Sequence, residues 1–385
     1  MQRSNEQYRI EHISPKPHNM TKRFTFYGAE LSLYSGKLRS YLRFKDISYI
    51  EQAPSFMTFN FTIKRKTGDA VVPVLVSPEG VWMQDTSEII EVLEQRFPEA
   101  PVLPSSPVQN FAARLFELWG DEFWLPTAMH MRWSHPAENY PLFEKDACDS
   151  FFPGWPRWFS RAIVKHGLAR KLHGFLPVLG VTLQTAPLLD KWTDEQLDAL
   201  DRHFAVHPYL FGSCMSLGDL GLIGPLYAHL GRDPWPKRHL IEPRKSLHAW
   251  VQRMMNPKAK QGEFLPGDQL PQTLEPMLRS IFKEMTPMLN AGARVLREAK
   301  ASHGLGERLP RQLGETSYPL SDGQWTQQVF PYTLWMAQRI QDHYKTLPKA
   351  EAAQVLDWLK IMGGDAFLEL DIPRLSRMGL RACFA

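Results

Sequence analysis

Two serines three positions apart stand where the sequence changes from a strand pattern to a helix pattern. Ser32 and Ser35 follow the β-prone run 23–28 and precede the amphipathic run 35–44. A helix N-terminus offers free N–H groups and the positive end of the dipole, and a hydroxyl adds one hydrogen-bond donor. A hydrogen bond to a charged group contributes about 1.5 to 3 kcal/mol, enough to lower a thiol pKa by about one or two units. The pattern therefore fits a site that binds a thiolate. An ordinary N-cap needs the same residue types, and for Ser35 a cap is the favoured interpretation.

Two further segments carry residues that could bind a small polar ligand. The β-branched run 71–76 contains Pro73, which confines that strand to an edge or a special site. Gln84, Asp85 and Thr86 then open a helix. An acid and a hydroxyl at a helix start can hold the α-amino and α-carboxylate groups of an amino acid. A capping arrangement with Glu88 uses the same residue types, so this segment alone does not discriminate.

The elements that position these residues form a small α/β unit. Strand patterns at 23–28, 47–52 and 71–76, a strand ending at Gln84, and helices at 35–44 and 85–97 predict the order β-α-β-(α)-β-β-α. After a proline-rich linker, helical periods dominate. They lie at 107–133, 193–206, 216–231, 243–255, 273–300, 324–346 and 349–362. Residues 302–323, rich in Gly, Pro and Ser, are predicted to form a loop.

Composition limits the classes of function. The chain has 385 residues, 43% hydrophobic and 22% charged, with a net charge of +4, which suits a folded protein and gives no nucleic-acid footprint. Three scattered cysteines favour neither a disulfide framework nor a metal cluster, and they suit a reducing compartment. No apolar window reaches the length of a membrane span. We expect a cytoplasmic protein without a metal and with a loose N-terminal arm at residues 1–22.

Three pieces together resemble the glutathione transferases. They are SLYSGKLR at 32–39, VVPVLV with QDTSEIIEVLEQRFP within 71–98, and HPYLFGSCMSLGDLGLIGPLYAHL at 207–230. The resemblance covers about two thirds of the chain, residues 23–255. It implies a thioredoxin-like glutathione-binding domain at 23–103, an all-helical domain at 107–255 and, beyond the family's fold, a helical extension at 256–385.

The resemblance also implies roles for single residues. Ser32 precedes Lys37 by five positions, as the active residue does in the serine- and cysteine-type enzymes, and is the first candidate for the catalytic residue. The alternatives for that role are Tyr34, Ser35 and Tyr27. Leu33 stands where the family usually has a proline, which departs from the pattern of the active enzymes.

Further site residues follow from the same likeness. Glutathione would be bound by Val72, by Pro73 in the cis form, and by Asp85 and Thr86. The hydrophobic substrate pocket would include Trp124, Met129, Met131 and Trp133, although plain core is favoured for each taken singly. Ser216 and Asp219 form a capping box rather than a catalytic pair.

The resulting expectation is a glutathione transferase-like protein, a cytoplasmic homodimer acting in detoxification. It would bind glutathione as co-substrate and conjugate its thiolate to a hydrophobic electrophile. The alternative is a non-catalytic binding or scaffold protein of the same fold, favoured by Leu33 and by the long tail. A thiol reductase is disfavoured because serines occupy the redox positions.

Overall fold

The computed structural model describes residues 23–385, and the predicted N-terminal arm lies outside the described residues. The first part of the chain is the α/β unit that the sequence predicts. Its elements are β1 Phe24–Tyr27, α1 Leu33–Phe44, β2 Tyr49–Gln52, α2 Lys64–Thr67, β3 Val74–Val76, β4 Trp82–Gln84 and α3 Thr86–Arg96. The sheet order is β2-β1-β3-β4, in which β2 runs parallel to β1 while β3 is antiparallel to β1 and β4.

The ends of these elements follow from local chemistry. Ser32 is the N-cap of α1, and its hydroxyl accepts a hydrogen bond from the N–H of Ser35 at 3.4 Å. Asp85 is the N-cap of α3, and its Oδ1 accepts from the N–H groups of Ser87 and Glu88. The caps place the N-termini of α1 and α3 at the start of the two segments that the sequence singles out.

A helical region follows. Its α-helices are α4 Pro107–Leu118, α5 Leu125–Trp133, α6 Pro136–Phe151, α7 Arg157–Ile163, α8 Arg170–His173, α9 Ala186–Phe204, α10 Leu217–Pro225, α11 Pro234–Pro236 and α12 Lys245–Met255. The predicted capping box opens α10, because Ser216 Oγ accepts from the N–H of Asp219 and Asp219 accepts from the N–H of Ser216. The fold class, a thioredoxin-like domain followed by a helical domain, is confirmed.

Two glycines let α10 cross the segment after α4 at very short range. A Cβ on Gly120 would lie 2.4 Å from the carbonyl carbon of Gly221, and a Cβ on Gly221 would lie 2.6 Å from the Cα of Glu117. Only glycine avoids this overlap. The backbone of the π-helical segment Trp119–Phe123 is therefore held against α10.

The extension contains strands as well as helices, which corrects the predicted helical extension. Its elements are α13 Glu275–Ser280, α14 Thr286–Ala299, β5 Leu313–Leu320, β6 Gly323–Val329, α15 Pro331–Thr346, α16 Lys349–Met362, β7 Leu375–Met378 and β8 Arg381–Phe384. The predicted loop 302–323 contains β5, and the predicted helix 324–346 begins only at Pro331. Tyr318, Leu320 and Trp325 are buried in alternation with exposed residues, which is the period of a strand.

The extension packs directly on the helical region. The ring of Phe111 in α4 meets those of Tyr344, Trp358 and Phe367 edge-on, with centroids 6.1 to 6.4 Å apart. One continuous core of buried apolar side chains runs from Phe24 to Phe384. The bounds 23–103, 107–255 and 256–385 stay predictions.

Candidate functional site

A cavity of about 230 Å³ lies where the α/β domain, the helical region and the extension meet. Each of the three parts supplies several lining residues. The α/β domain contributes Tyr34, Val71, Val72, Pro73, Gln84, Asp85 and Thr86. The helical region contributes Asp121, Glu122, Leu125 and Phe175, and the extension contributes Pro310, Arg311, Phe330, Pro331, Tyr332, Leu380, Arg381 and Ala382. The four predicted glutathione-binding residues are thus brought together in one wall.

The peptide of Val72 is one polar group of this wall that could pair with a ligand. The bond between Val72 and Pro73 is cis, as the resemblance implies. Within residues 23–385, the N–H and C=O of Val72 form no hydrogen bond. Gln84 holds the preceding loop, since its Nε2 donates to the carbonyl oxygens of Asp69 and Val71 at 3.2 and 2.8 Å. An extended ligand could pair with this peptide as a strand pairs with an edge.

The second polar feature is the N-terminus of α3, where the extension already contacts Asp85. Asp85 has a φ of 84°, which is unusual for a residue with a side chain. Its Oδ2 accepts a hydrogen bond from the hydroxyl of Tyr332 and lies 3.3 Å from Nη1 of Arg377. The second terminal nitrogen of Arg377, Nη2, donates to Glu88. The acid that the resemblance assigns to the γ-glutamyl end of glutathione is therefore paired with two side chains of the extension.

These contacts perturb the groups involved. Burial, together with the charge of Asp85, raises the pKa of Tyr332 well above its usual value, so its hydroxyl remains a donor at neutral pH. Burial disfavours the charged form of Arg377, but Asp85 and Glu88 outweigh it and raise the pKa of the guanidinium. Arg377 is a permanent cation at this end of the cavity.

The N-terminus of α1 is arranged differently from the prediction. Ser32 and Ser35 do not line the cavity. Ser32 is the N-cap of α1. Ser35 was also predicted to be a cap, but its hydroxyl instead accepts a hydrogen bond from the N–H of Ala29 at 3.2 Å and so fixes the loop before the helix. Tyr27 stacks on Trp82 with ring centroids 5.7 Å apart and also lies outside the lining. Of the four candidates for the catalytic residue, Tyr34 is the one that lines the cavity.

Tyr34 forms a hydrogen bond with Glu122, an acid that was not predicted as a site residue. Its hydroxyl donates to the carbonyl oxygen of Asp121 at 3.2 Å and to Oε1 of Glu122 at 3.4 Å. The hydroxyl of Thr333, from α15, donates to the other oxygen of Glu122. Burial raises the pKa of Glu122 to about 7. Burial and the nearby carboxylates raise the pKa of Tyr34 well above its usual value.

A buried cation lies below this acid. Nζ of Lys37 is 2.7 Å from Glu117 and 2.5 Å from Asp121, and all three side chains are almost fully buried. Burial raises the pKa of Asp121, whereas for Glu117 the charges of Lys37 and Arg339, together with the hydrogen bonds that it accepts, outweigh burial and lower the pKa. Oδ1 of Asp121 has no hydrogen-bond partner within residues 23–385. Glu117 and Asp121 are thus buried acids that hold Lys37 between the α/β domain and the helical region.

The apolar wall of the cavity is not the predicted one. Trp124, Met131 and Trp133 are buried in the core, Met129 is partly buried, and none of them lines the cavity. Trp124 packs between Trp119 and Trp192, with ring centroids 5.4 and 5.0 Å away. Packing between helices, rather than a ligand, therefore explains the tryptophans. The apolar lining comes instead from residues that include Leu125, Phe175 and Phe330.

Two classes of site find no support in the part of the chain that the structure describes. Residues 23–385 contain no group of three or more His, Cys, Asp or Glu side chains placed to hold a metal ion. The helices of the same residues include none with the length and apolar character needed to cross a bilayer. The three cysteines are buried and form no disulfide.

The fold and the cavity define a class of protein: a thioredoxin-like domain whose edge peptide and helix N-terminus face a cavity beside a helical domain. Residues 26–101 match the family model of the glutathione S-transferase N-terminal domain. This part of the chain is therefore similar to the N-terminal domain of the glutathione S-transferases. No curated protein matches the chain.

Solved structures of similar fold include several glutathione transferases. A glutathione S-transferase from Rhodospirillum rubrum F11 is 17% identical, with 65% of this chain and 96% of that chain covered and a TM-score of 0.38. The beta-etherase LigF from Sphingobium sp. strain SYK-6 is 17% identical, with 62% and 96% covered and a TM-score of 0.41. A glutathione S-transferase from Methylobacterium radiotolerans, in complex with glutathione sulfonate, is 19% identical, with 63% and 97% covered and a TM-score of 0.35.

Proposed function

We propose that this protein binds glutathione in the cavity and conjugates its thiolate to a hydrophobic electrophile. The observation that carries the proposal is the unpaired peptide of Val72, a residue that lines the cavity, within a domain that matches the family model of the glutathione S-transferase N-terminal domain. A tripeptide in extended form can satisfy that N–H and C=O with its own backbone. The cavity wall then continues to Thr86 at the N-terminus of α3, where a carboxylate is stabilised by the helix dipole.

The sulfur would lie toward the N-terminus of α1. Ser32 remains our first candidate for the catalytic residue, because its hydroxyl accepts only the long bond from Ser35 and can turn to donate to a thiolate. Tyr34 is the principal alternative, although its hydroxyl is already donated to Glu122. The conjugation forms a carbon–sulfur bond, expels the leaving group of the electrophile with its electron pair, and releases the thiol proton to solvent.

The electrophile would rest on the apolar part of the lining, which includes Leu125, Phe175 and Phe330. The first and third of these come from the helical region and the extension, so the second substrate would touch both. We also propose, as the resemblance implies, that the protein acts as a cytoplasmic homodimer.

The second candidate is a binding protein of the same fold without catalysis. One observation favours it: Asp85 is already paired with Tyr332 and Arg377, so the ammonium group of glutathione would meet a carboxylate that already has two partners. The acids Asp121 and Glu122 near Tyr34 also oppose a negative sulfur there.

Titration calorimetry with glutathione and a conjugation assay with 1-chloro-2,4-dinitrobenzene separate the two functions. For the enzyme, we expect binding, turnover, and a ten- to hundredfold loss of rate at pH 7 in Ser32→Ala, since one or two pKa units of thiol stabilisation are removed. Tyr34→Phe tests the alternative residue, and Ser302→Ala, at an exposed serine, is the matched control. Binding without turnover supports the second candidate, and the lack of any binding contradicts both.

A further inference from the structure

An exposed cluster of aromatic and apolar side chains lies away from the lining of the cavity. Its most exposed members are Trp158, Phe61 and Met57, with 75%, 61% and 59% of their surface open to solvent. Phe56, Trp155 and Phe159 complete the cluster and are also exposed. Large apolar side chains exposed together, rather than singly, mark a contact surface. We call these six residues the aromatic patch.

Ring contacts join the two distant segments that carry the patch. Phe56 stacks on Phe152, whose ring meets Trp155 at 5.4 Å. Trp155 stacks on Phe159 at 5.6 Å, and Phe159 meets Trp158 at the same distance. The contacts hold the rings together without burying them. The surface is therefore built by the fold and does not result from one stray side chain.

The two segments that form the patch are strongly basic. Residues 56–66 and 155–171 contain eight Lys or Arg and no Asp or Glu, whereas the whole chain has a net charge of only +4. The remainder of the chain is therefore net acidic. Two of the eight are paired with acids outside the segments, Arg157 with Asp149 and Arg161 with Glu144.

The other basic side chains are free to meet an anionic partner. They are Lys64, Arg65, Lys66, Lys165, Arg170 and Lys171, all exposed and without an ion pair to any residue in 23–385. Aromatic rings with Lys and Arg around them match the interface of a bilayer, where Trp occupies the headgroup level and cations attract anionic lipid. A protein partner would need an acidic apolar surface of matching shape, which nothing in the chain specifies.

We propose that the aromatic patch and its basic flanks bind the surface of a bilayer that contains anionic phospholipid. The protein lies on the membrane rather than through it, in keeping with the helices described above. Trp158 and Phe61 enter the headgroup region, while Lys64, Arg65 and Lys66 remain at the level of the phosphates. Binding does not depend on glutathione, since the patch shares no residue with the cavity lining.

Co-sedimentation of the full chain with vesicles tests this proposal. We expect binding to vesicles of phosphatidylcholine with phosphatidylserine, little binding to phosphatidylcholine alone, and release at high salt. Replacing three cations, in Lys64→Gln/Arg65→Gln/Lys66→Gln, should weaken the partitioning roughly hundredfold, because each cation near such a surface contributes about fivefold. Trp158→Ser should also weaken vesicle binding, but it should leave the dependence of binding on salt concentration unchanged.

Matched controls keep the experiment specific to the patch. Lys345→Gln/Lys349→Gln/Lys360→Gln removes three exposed cations from the extension, and Ile361→Ser removes an exposed apolar side chain there. Neither variant should change binding. Equal binding to neutral and anionic vesicles, or an equal loss in patch and control variants, would overturn the proposal. Sedimentation velocity without vesicles gives a further overturning outcome: a dimer of the wild type that Trp158→Ser dissociates, with no vesicle binding.

Discussion

The contact between the extension and Asp85 leads to a direct prediction for ligand affinity. If Asp85 is the acceptor for the ammonium group of glutathione, Arg377 competes with the ligand for the same Oδ2, 3.3 Å from its Nη1. Arg377→Gln removes the competing cation and leaves the side chain polar. We therefore expect the variant to bind glutathione more tightly than the wild type does.

The size of the effect follows from the kind of bond that is lost. A hydrogen bond between charged groups contributes about 1.5 to 3 kcal/mol to binding or stability, and each 1.4 kcal/mol is tenfold in affinity. Arg377 also bonds Glu88, so part of its own stabilisation remains in other arrangements of the side chain. A decrease of the dissociation constant by about tenfold, and no more than about a hundredfold, is the expected range.

Titration calorimetry at pH 7 measures this constant for wild type, Arg377→Gln and the control Arg374→Gln. Arg374 lies in the same stretch of the extension, is exposed, and pairs with Asp342 rather than with Asp85. Asp85→Asn should weaken binding in the same experiment. An unchanged or lower affinity in Arg377→Gln would refute the reasoning, since Arg377 would then assist the ligand instead of competing with it.

Two further predictions concern buried charges, and a third concerns a helix cap. Burial raises the pKa of Glu122 in the folded protein to about 7, above its unfolded value, so the group takes up protons on folding. From this group alone, the free energy of unfolding of the wild type should fall by about 3 kcal/mol as pH rises from about 4.5 to 7. Glu122→Gln should flatten this pH dependence in urea titrations, and an unchanged slope would contradict the assignment. Lys37→Met should lower the free energy of unfolding by about 3 to 5 kcal/mol at pH 7, with part recovered when Asp121→Asn is added; a loss below about 1 kcal/mol would mean that the acids are protonated in the wild type. Ser216→Ala should cost about 1 to 2 kcal/mol through the lost cap of α10, and Ser302→Ala, at an exposed serine, should cost nothing measurable in the same thermal melts.

The sequence was most informative where chemistry is local. A capping serine, a β-branched run and a helical period each act within a few residues, so the strands, α1, α3 and the box at Ser216 were predictable. The resemblance added Pro73, whose cis form no local pattern predicts. The same local rules explain Ser32, whose role as the cap of α1 was one of the two interpretations left open.

The site was less predictable because its wall is completed from far along the chain. Tyr332 and Arg377 reach Asp85 across 247 and 292 residues, and no sequence spacing encodes such a contact. The hairpin of β5 and β6 was missed because Gly, Pro and Ser obscured the alternation of Tyr318, Leu320 and Trp325. Trp124 and Trp133 were candidates for a pocket, with core favoured for each taken singly, because an apolar side chain has the same appearance in a core and in a binding wall.

The crossing of Gly120 and Gly221 has a consequence for the floor of the cavity. Asp121 and Glu122 follow Gly120 directly, so the close approach of the two backbones determines where both carboxylates lie in the cavity. A methyl group at either glycine would force the two backbones apart and so displace both carboxylates from their present positions beside Tyr34 and Lys37. The space that the cavity offers a ligand therefore depends on two glycines, Gly120 and Gly221, which do not themselves line it.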